Sequence, residues 1–368
     1  MMQFEQQTAR LSEFLRRGYA GEMHYLAEPV VDGVLARGNV ESVFAATKSI
    51  ISVALPYAAP APVRLKSGNK SLPVVMNQPY VAQYARGEDY HVLVKHLLHQ
   101  LADEIADLSG KTLTVRACVD SAPLYERDLA VSAGLAFIGK NTLAIAPGLG
   151  SHFVLGELLV DLELVPNATQ IADGCGSCRA CLDICPTSAF VSEGVMDASK
   201  CISYLTIESR GAIPRDLRSK VGLHVFGCDL CQAACPFNHG KSTLIADARL
   251  SSSRFSNLDP AELLHIGSSP FKRLVSGTAL RRVNREQLMR NVAVAIGNTG
   301  DARYVPTLVR AITQHIYPLV QQHAAWALIR LSQHFQLVAA QSAVRSILAE
   351  DGAGARLLQA EMAAFFSD

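Results

Sequence analysis

The sequence lacks the features that mark membrane and exported proteins. No uninterrupted apolar run reaches the length of a membrane span, and the richest stretch, FVLGELLVDLELV (153–165), is broken by Glu157, Asp161 and Glu163. The N-terminal segment has no apolar core of a secretory signal. The net charge is only +1, while apolar residues make up 49% of the chain, which is ample for packed cores. We therefore expect a soluble, cytoplasmic protein without a membrane partner, acting as a monomer.

The common nucleotide-binding motifs are also missing. No GxGxxG follows a predicted strand, so a dinucleotide-binding fold has no support. The glycine-rich stretch AGLAFIGKNTLAIAPGLGS (133–151) is not a phosphate-binding loop, because its Gly-Lys pair is followed by Asn141 and its glycines are wrongly spaced. A redox or binding function must therefore be sought elsewhere in the chain.

Cysteine is rare outside two dense runs. Of the nine cysteines, only Cys118 and Cys201 lie outside the segments CGSCRACLDICP (175–186) and CDLCQAACPFN (228–238). In a reducing cytoplasm such clusters are metal ligands more often than disulfides. The first run has the C-x2-C-x2-C-x3-C-P spacing of bacterial ferredoxins, which bind 4Fe–4S clusters.

This spacing predicts how two clusters divide the cysteines. In two-cluster ferredoxins the fourth cysteine of a run binds the other cluster. The first cluster is therefore predicted to take Cys175, Cys178, Cys181 and Cys235. The second is predicted to take Cys185, Cys228 and Cys231, with Cys201 as its fourth ligand. The alternative, two structural zinc ions, does not require the doubled C-x3-C-P. Cys118 lies in a predicted strand and is expected to be a core residue.

Three parts follow from the patterning of the chain. Residues 1–165 interleave predicted strands and helices and are expected to form an α/β domain. Residues 166–240 carry the cysteines and form the predicted two-cluster ferredoxin-like domain. Residues 241–368 are expected to be all-helical. Within the first part we predict strands at 48–55, 112–119, 141–147 and 153–164, helices at 90–110 and 123–134, and a loop at 57–73.

The helical part carries a weak internal repeat. RNVAVAIGN (290–298) resembles QHAAWALIR (322–330), and VRAI (309–312) matches VRSI (344–347). A helix pair repeated at this period is typical of HEAT-like units. An ordinary helical bundle with alanine-rich interfaces is the alternative.

Several segments, taken together, resemble one family, the epoxyqueuosine reductases of tRNA queuosine biosynthesis. They are GEMHYL (21–26), YARGEDYH (84–91), VDSAPLYERDLAVSAGLAFIGKNTLAI (119–145), the doubled cysteine motif, and YLTIESRGAIPRDLRSKVGLHVFGCDLCQAACPFN (204–238). The resemblance implies two 4Fe–4S clusters and a cobalamin. It implies reduction of the epoxide of epoxyqueuosine in tRNA to the alkene of queuosine, with electrons from an external donor.

The resemblance also implies site residues. It assigns proton donation to Asp120, whereas the local sequence would let Asp120 or Ser121 cap a helix beginning at Pro123. It argues against a histidine ligand to cobalt, and His91, which opens a predicted helix, is expected to be a surface or capping residue. The predicted cobalamin contacts are Gly139, Lys140, Asn141, Ser151, Phe226, Gly227 and Asp229.

A tRNA partner requires positive charge. The balance of basic over acidic residues is −4 before residue 241 and +5 from there on. The candidates for phosphate contacts are Arg210, Arg215, Arg218, Lys220, Lys272, Arg273, Arg281, Arg282, Arg285 and Arg290. Two rival functions remain open at this point: a corrinoid reductive dehalogenase, which usually carries an export signal that this N-terminus lacks, and a ferredoxin-type electron carrier, which would need no cobalamin.

Overall fold

The computed structural model groups the chain into two compact units. The first comprises Met1–Pro73, Gln83–Ser199 and Asp229–Ser252, and the second comprises Val74–Ala82, Lys200–Cys228 and Ser253–Asp368. The residues that the structure describes are 4–28, 35, 37–57, 79–166, 170–239, 246–255, 257–350 and 352–365. Apart from Tyr57, the predicted loop at 57–73 lies outside them.

The first unit is built on a small antiparallel sheet with helices packed on it. Its strands are β1 (Ser49–Pro56), β3 (Val115–Cys118), β4 (Phe137–Ile138), β5 (Ala144–Ile145), β6 (Phe153–Val160), β7 (Phe190–Ser192) and β8 (Val195–Met196). Its helices are α1 (Glu5–Arg16), α2 (Val40–Val43), α3 (Tyr90–Ser109), α4 (Glu126–Ser132), α5 (Ala180–Asp183) and α8 (Leu230–Ala233). The sheet order is β1–β6–β3, so β6 is central.

The strands predicted at 48–55 and 153–164 and the helix predicted at 90–110 are confirmed, whereas the strands predicted at 112–119 and 141–147 shorten to β3 and β5. The central strand β6 is buried at nearly every position, as its apolar sequence predicts. Helix α3 begins after Asp89, whose side chain accepts the N–H of His91, and ends at Gly110, which has φ 64°. A Cβ on Gly156 of β6 would lie 2.6 Å from Val94, so glycine is what lets α3 approach the sheet this closely.

The helix predicted to begin at Pro123 begins instead at Glu126. Its N-cap is Tyr125, and no side chain caps it. The prediction that Asp120 or Ser121 caps this helix is therefore wrong. The chain leaves β3 through a tight turn, in which Ser121 N–H donates to the carbonyl of Val119 at 2.6 Å. Because residues 120–125 form this turn, the helix begins only at Glu126.

The second unit is mainly helical. Its strands β2 (Tyr80–Val81) and β9 (His224–Phe226) pair in parallel. Its helices are α6 (Ile202–Ile207), α7 (Arg215–Val221), α9 (Pro260–Leu264), α10 (Ser268–Val275), α11 (Arg285–Gly297), α12 (Val305–Gln314), α13 (Pro318–Gln333), α14 (Val338–Ala349) and α15 (Ala353–Phe365). Among the described residues, no helix is both long and apolar enough to cross a bilayer.

The internal repeat falls on matching helices of this unit. The two nine-residue segments begin within α11 and α13, and the two short matches lie in α12 and α14. Helix α11 packs against α13, and α12 packs against both α13 and α14. A capping box of Asn284 and Gln287 starts α11. This pairing agrees with two-helix repeats, and their assignment as HEAT-like units remains a prediction.

Candidate functional site: a carboxylate group and two cysteine runs

Asp120 stands at the end of β3 in an unusual conformation. Its φ of 55° lies in the left-handed region, which residues with a Cβ seldom adopt. Its side chain is 65% exposed, so the carboxyl can be reached from outside. Its backbone N–H donates to Oε1 of Glu126 at 2.6 Å. A strained backbone that presents an accessible carboxyl is typical of a functional site.

Two side chains from the start of α3 meet this carboxyl. Tyr90 donates its hydroxyl to Oδ2 of Asp120 at 2.6 Å. Nε2 of His91 lies 3.7 Å from the same oxygen, and its Nδ1 lies 2.7 Å from Oδ1 of Asp89. The rings of Tyr90 and His91 stack, with centroids 4.1 Å apart. His91 thus lies in the capping turn of α3, in line with the expectation, and is in addition a neighbour of Asp120.

The neighbouring groups shift the pKa values of Asp120, His91 and Tyr90. The nearby imidazole of His91, followed by the hydroxyl of Tyr90, holds the pKa of Asp120 below its usual value. Burial alone would lower the pKa of His91, but its contacts with Asp120 and Asp89 raise it above the ordinary value. Burial and the charge of Asp120 raise the pKa of Tyr90, so its hydroxyl stays protonated. The two shifts both favour the charged forms, an imidazolium beside a carboxylate.

Two further carboxyls lie on the interior side of Asp120. Glu126 is the first residue of α4, and Glu157 lies in the middle of β6 with no exposed surface. Burial, followed by the charge of Asp120, raises the pKa of Glu126 to about 7. Burial and the charge of Glu126 raise the pKa of Glu157 to about 10. At neutral pH Glu157 is therefore uncharged.

The predicted cobalamin contacts of the glycine-rich stretch lie around β4 and β5. A Cβ on Gly139 would lie 2.5 Å from Cδ1 of Ile145 and 2.9 Å from Oδ1 of Asn141, so a larger residue there would displace these side chains. Asn141 is buried; its Oδ1 accepts the N–H of Leu143, and its Nδ2 has no hydrogen-bond partner among the described residues. Lys140 donates from Nζ to the carbonyl of Gly176 at 2.7 Å and pairs with Glu193 at 2.9 Å. Lys140 thus braces the first cysteine run.

The remaining predicted cobalamin contacts are buried or hydrogen-bonded to neighbouring residues of the protein. Ser151 is buried, and its Oγ accepts from Asn238 Nδ2 at 3.0 Å. Asp229 accepts the backbone N–H of Gln83 at 2.8 Å. In the second unit Phe226 is buried at the end of β9, and Gly227, with φ 68°, donates its N–H to Thr206 Oγ1. The structure thus gives each of them a local role, and their contact with a cofactor remains a prediction.

A neighbour of Ser151 was missed by sequence reasoning. His152 is buried, packs edge-on against Tyr57, and has no hydrogen-bond partner at either ring nitrogen within the part of the chain that the structure describes. Burial lowers its pKa to about 4, so the ring is neutral. Unpaired buried ring nitrogens indicate that a polar ligand group is expected beside them.

The thiols predicted for the first cluster lie together in the first unit. Burial raises the pKa of Cys181 to about 11, and the neighbouring charges of Cys235 and Cys175 act in the same direction. Cys235 and Cys175 also join one apolar cluster with Phe137, Ile145, Ile171 and Phe237. The backbone N–H of Lys140 donates to Sγ of Cys175 at 3.5 Å. Apolar cover and N–H···S bonds suit a cubane, whose potential responds to both.

The four cysteines predicted to bind the second cluster lie in different structural elements. Sγ of Cys185 accepts the backbone N–H of Ala189 at 3.4 Å. Cys201 is the N-cap residue of α6, Cys228 follows β9, and Cys231 lies in α8. None of the nine cysteines, all of which lie within the described residues, forms a disulfide, and Cys118 is buried in a core cluster, as predicted. Within the described ranges, no three His, Cys, Asp or Glu side chains converge as ligands of one metal ion.

The ten basic residues proposed for phosphate contacts are buried, half-buried or exposed, and the half-buried two are Arg215, which pairs with Glu361 at 3.0 Å, and Arg285, which donates to the hydroxyl of Tyr317 at 2.8 Å. Arg290 has no exposed surface and donates to the carbonyls of Leu205, Ser209 and Gly211. Arg218 is 1% exposed and pairs with Glu361 at 3.4 Å. These two buried arginines are structural and are removed from the set. The exposed members are Arg210, Lys220, Lys272, Arg273, Arg281 and Arg282.

Known proteins share these features. Residues 174–238 match the family described as 4Fe-4S double cluster binding domain. Residues 37–121 match the family described as Epoxyqueuosine reductase QueG, DUF1730. An epoxyqueuosine reductase of Pseudomonas aeruginosa is 40% identical over 332 residues, which cover 88% of this chain and 86% of that protein.

Solved structures of epoxyqueuosine reductases have a similar fold. One is a crystal structure of epoxyqueuosine reductase with a tRNA-TYR epoxyqueuosine-modified tRNA stem loop, with a TM-score of 0.77 and 28% identity over 97% of this chain and 92% of that one. Another is the enzyme from Bacillus subtilis with a catalytic aspartate loop swung out of the active site, with a TM-score of 0.77 and 27% identity over 98% and 91% of the two chains.

An accessible strained carboxyl together with a double 4Fe–4S domain defines an iron–sulfur oxidoreductase. Relatives about 40% identical over most of the chain narrow this class to one family of enzymes. The chain belongs to the epoxyqueuosine reductase family.

Proposed function

We propose that this chain reduces the epoxide of epoxyqueuosine in tRNA to the alkene of queuosine. The observation that carries the proposal is the 40% identity to a named epoxyqueuosine reductase along 88% of the chain. The reaction consumes two electrons and two protons; both epoxide C–O bonds break, a C=C bond forms, and the oxygen leaves as water. The protein must therefore hold the substrate, deliver electrons and place a proton at the departing oxygen.

Asp120 and His91 are the proposed source of the first proton. Nε2 of His91 lies 3.7 Å from Oδ2 of Asp120, so a protonated imidazole would stand beside the carboxylate as the source of the proton that Asp120 passes on. Tyr90 fixes Oδ2 from a second side at 2.6 Å. When the epoxide oxygen gains negative charge it becomes more basic than the carboxylate, so this proton moves to it through Asp120. The second proton reaches the oxygen from solvent, to which Asp120 is open.

The residues around β4 and β5 fit a cobalamin. Corrin rings carry peripheral amides, and the unpaired Nδ2 of Asn141 and ring nitrogens of His152 suit such groups. Gly139 and Asn141, with Lys140, Ser151, Phe226, Gly227 and Asp229, are the proposed contacts. Bound cobalamin would supply a strongly reducing cobalt centre. His91 is held by Asp89 and Asp120, which is consistent with a cobalt that takes no histidine from the protein.

Electron delivery is assigned to two 4Fe–4S clusters. We propose Cys175, Cys178, Cys181 and Cys235 for the first and Cys185, Cys201, Cys228 and Cys231 for the second. For the first set, the mutual charge effects of the thiols support the assignment. For the second set it rests on spacing. We also propose the functional division into residues 1–165, 166–240 and 241–368, with a HEAT-like third part.

The tRNA is proposed to contact the exposed basic residues of the second unit. Arg281 and Arg282 are both exposed, and Arg282 pairs with Glu208 at 2.9 Å at the surface. A surface ion pair of this kind is weak, so a phosphate can compete with the carboxylate. Phosphate contacts of this type hold the RNA without reading its sequence.

Replacing Asp120 by Asn tests the proposal. Asn tolerates the left-handed conformation as well as Asp does, but it cannot take up a proton from His91 and pass it on. Turnover of epoxyqueuosine tRNA by the reconstituted enzyme should fall by about 10²- to 10⁴-fold. Iron content, cobalamin uptake and the melting temperature should stay near wild type. Asp128→Asn is the matched control, since Asp128 lies nearby on α4 and accepts a hydrogen bond from Gln7.

Turnover of Asp120→Asn within a few-fold of wild type would refute this role. The proton would then come from another group, and Tyr90→Phe would become the next variant to test.

A further inference from the structure

A buried carboxyl pair supports the backbone of Asp120. Glu157 lies at the centre of β6, where Ser52 of β1 and Cys118 of β3 stand opposite it in register. Among the described residues, neither its carboxyl oxygens nor Oγ of Ser52 has a hydrogen-bond partner. A charged carboxylate without partners is strongly unfavourable in such a place. Glu157 is therefore a neutral acid.

Glu126 connects this interior acid to the site. Its Oε1 accepts the N–H of Asp120 at 2.6 Å, and Asp120 has φ 55°. A left-handed conformation is unfavourable for a residue with a Cβ and persists where neighbouring contacts impose it. A carboxylate acceptor makes a stronger hydrogen bond to an N–H than a neutral acceptor does. The charge of Glu126 thus bears directly on where the Asp120 side chain points.

We infer that Glu126 and Glu157 are positioning residues for the reaction proposed above, on which this inference rests. Two adjacent carboxyls in a low-dielectric setting do not both ionise. Glu157, fully enclosed, keeps the proton, so Glu126 carries the negative charge. The Glu126 carboxylate then holds Asp120 in the left-handed conformation that directs its carboxyl to Tyr90 and His91.

Titratable groups from several elements surround Glu126, which affects the pKa values of Tyr90 on α3, Cys118 on β3 and Arg127 on α4. Three further groups act on Glu126 itself. Asp120 lies in the turn after β3, Glu157 on β6, and Arg37 in the segment before α2. Burial and the charge of Asp120 raise the pKa of Glu126 to about 7, while Arg37 opposes them. Below that pH Glu126 gains a proton and its bond to the Asp120 N–H weakens. Above the raised pKa of His91, the His91–Asp120 pair loses its proton. Turnover is therefore bell-shaped in pH.

The test is the pH profile of kcat for the reconstituted enzyme on epoxyqueuosine tRNA. Glu126→Gln keeps an acceptor oxygen but no charge. It should lower the plateau about fivefold, the difference between a charged and a neutral hydrogen bond. It should also abolish the acid limb and keep the basic limb. Asp128→Asn, which changes another acid of α4, should keep both limbs.

The Glu157→Gln variant provides a second, independent test of the inference. The neighbouring acid of Glu157 lowers the pKa of Glu126, so replacing it by the less acidic amide of Gln should move the acid limb to higher pH with its plateau retained. An acid limb that is identical in wild type, Glu126→Gln and Glu157→Gln would overturn the inference. A purely structural role for the pair would lower the amount of folded enzyme without moving either limb, which also overturns it.

Amide hydrogen exchange provides a readout that needs neither cobalamin nor turnover. In Glu126→Ala the Asp120 amide loses its acceptor, so the peptide spanning residues 119–125 should exchange at least about tenfold faster, while α3 stays protected. Unchanged exchange overturns the inference whatever the activity of Asp120 variants. Full turnover by Asp120→Asn with accelerated exchange in Glu126→Ala would instead refute the proposed proton donor and leave the contact between Glu126 and Asp120 standing.

Discussion

Replacing Glu157 by Gln should change how stability depends on pH. Burial raises the pKa of Glu157 to about 10, against an ordinary value of 4.5. Between these pH values the folded state holds a proton that the unfolded state has released, so stability falls as pH rises. The slope is about 1.4 kcal/mol per pH unit. Gln carries no titrating proton, so this slope disappears in the variant.

The size of the effect follows from the pH interval. From pH 5 to pH 8 the variant should gain up to about 4 kcal/mol relative to wild type. For a unit of roughly 200 residues, 1 kcal/mol corresponds to about 2–4 °C in Tm. The difference in Tm should therefore grow by on the order of 10 °C over this interval. If burying the amide of Gln has a cost that does not depend on pH, this cost lowers the Tm of the variant equally at pH 5 and pH 8. It therefore does not change the growth of the Tm difference over this interval.

The assay is anaerobic calorimetry of both proteins at several pH values between 5 and 8. Ser52→Ala is a suitable control, because it alters the uncharged neighbour opposite Glu157 on β1. It should leave the pH dependence of Tm unchanged. Curves of Tm against pH that run parallel for wild type and Glu157→Gln would show that Glu157 is ionised in the folded protein, and the reasoning about the carboxyl pair would fail.

Two other predictions concern the clusters and the tRNA. Cys201→Ser should reduce iron from about eight to about four atoms per chain in anaerobic preparations, whereas Cys118→Ser should leave it unchanged; full iron in Cys201→Ser contradicts the assignment. Replacing Arg281 and Arg282 by Ala should flatten the dependence of log affinity on log salt by roughly 0.7–0.9 for each phosphate that the protein no longer neutralises. Arg290→Ala should instead lower Tm, since it removes buried hydrogen bonds, and an unchanged Tm would contradict its structural role.

The elements that could be predicted from the sequence are those with strong local patterns. Helix α3 has apolar residues at helical spacing and a glycine stop, and β6 is an apolar run, so both were predicted. The cysteine spacing likewise indicated a double-cluster domain, which residues 174–238 match. Such features depend on neighbours a few positions away, and the sequence displays these directly.

The partners of Asp120 are not local, and the sequence did not reveal them. Tyr90 and His91 lie about thirty positions before it, and the fold brings them together only because α3 starts beside the end of β3. Glu157 stood out in the sequence merely as a break in an apolar run. One acid in an otherwise buried strand is the signal that could have identified it, because such a residue needs a functional or electrostatic reason.

For the buried arginines, the sequence suggested a contact with tRNA that the structure contradicts. Arg290 opens the apolar segment RNVAVAIGN and was counted with the basic surface, although its helix is enclosed on all sides. Charge is visible in a sequence, but burial on a fully enclosed helix is not, because such a helix lacks a polar face.

The most direct test of the proposed function is one conversion measured on the purified chain. The enzyme is reconstituted anaerobically with iron, sulfide and cobalamin, supplied with a chemical reductant and given tRNA carrying epoxyqueuosine. Nucleosides are then analysed by mass spectrometry, with parallel reactions lacking cobalamin and with Asp120→Asn. We expect epoxyqueuosine to be replaced by queuosine, one oxygen atom lighter, in the complete reaction alone. Epoxyqueuosine left intact by an enzyme that holds both clusters and cobalamin would contradict the proposed function.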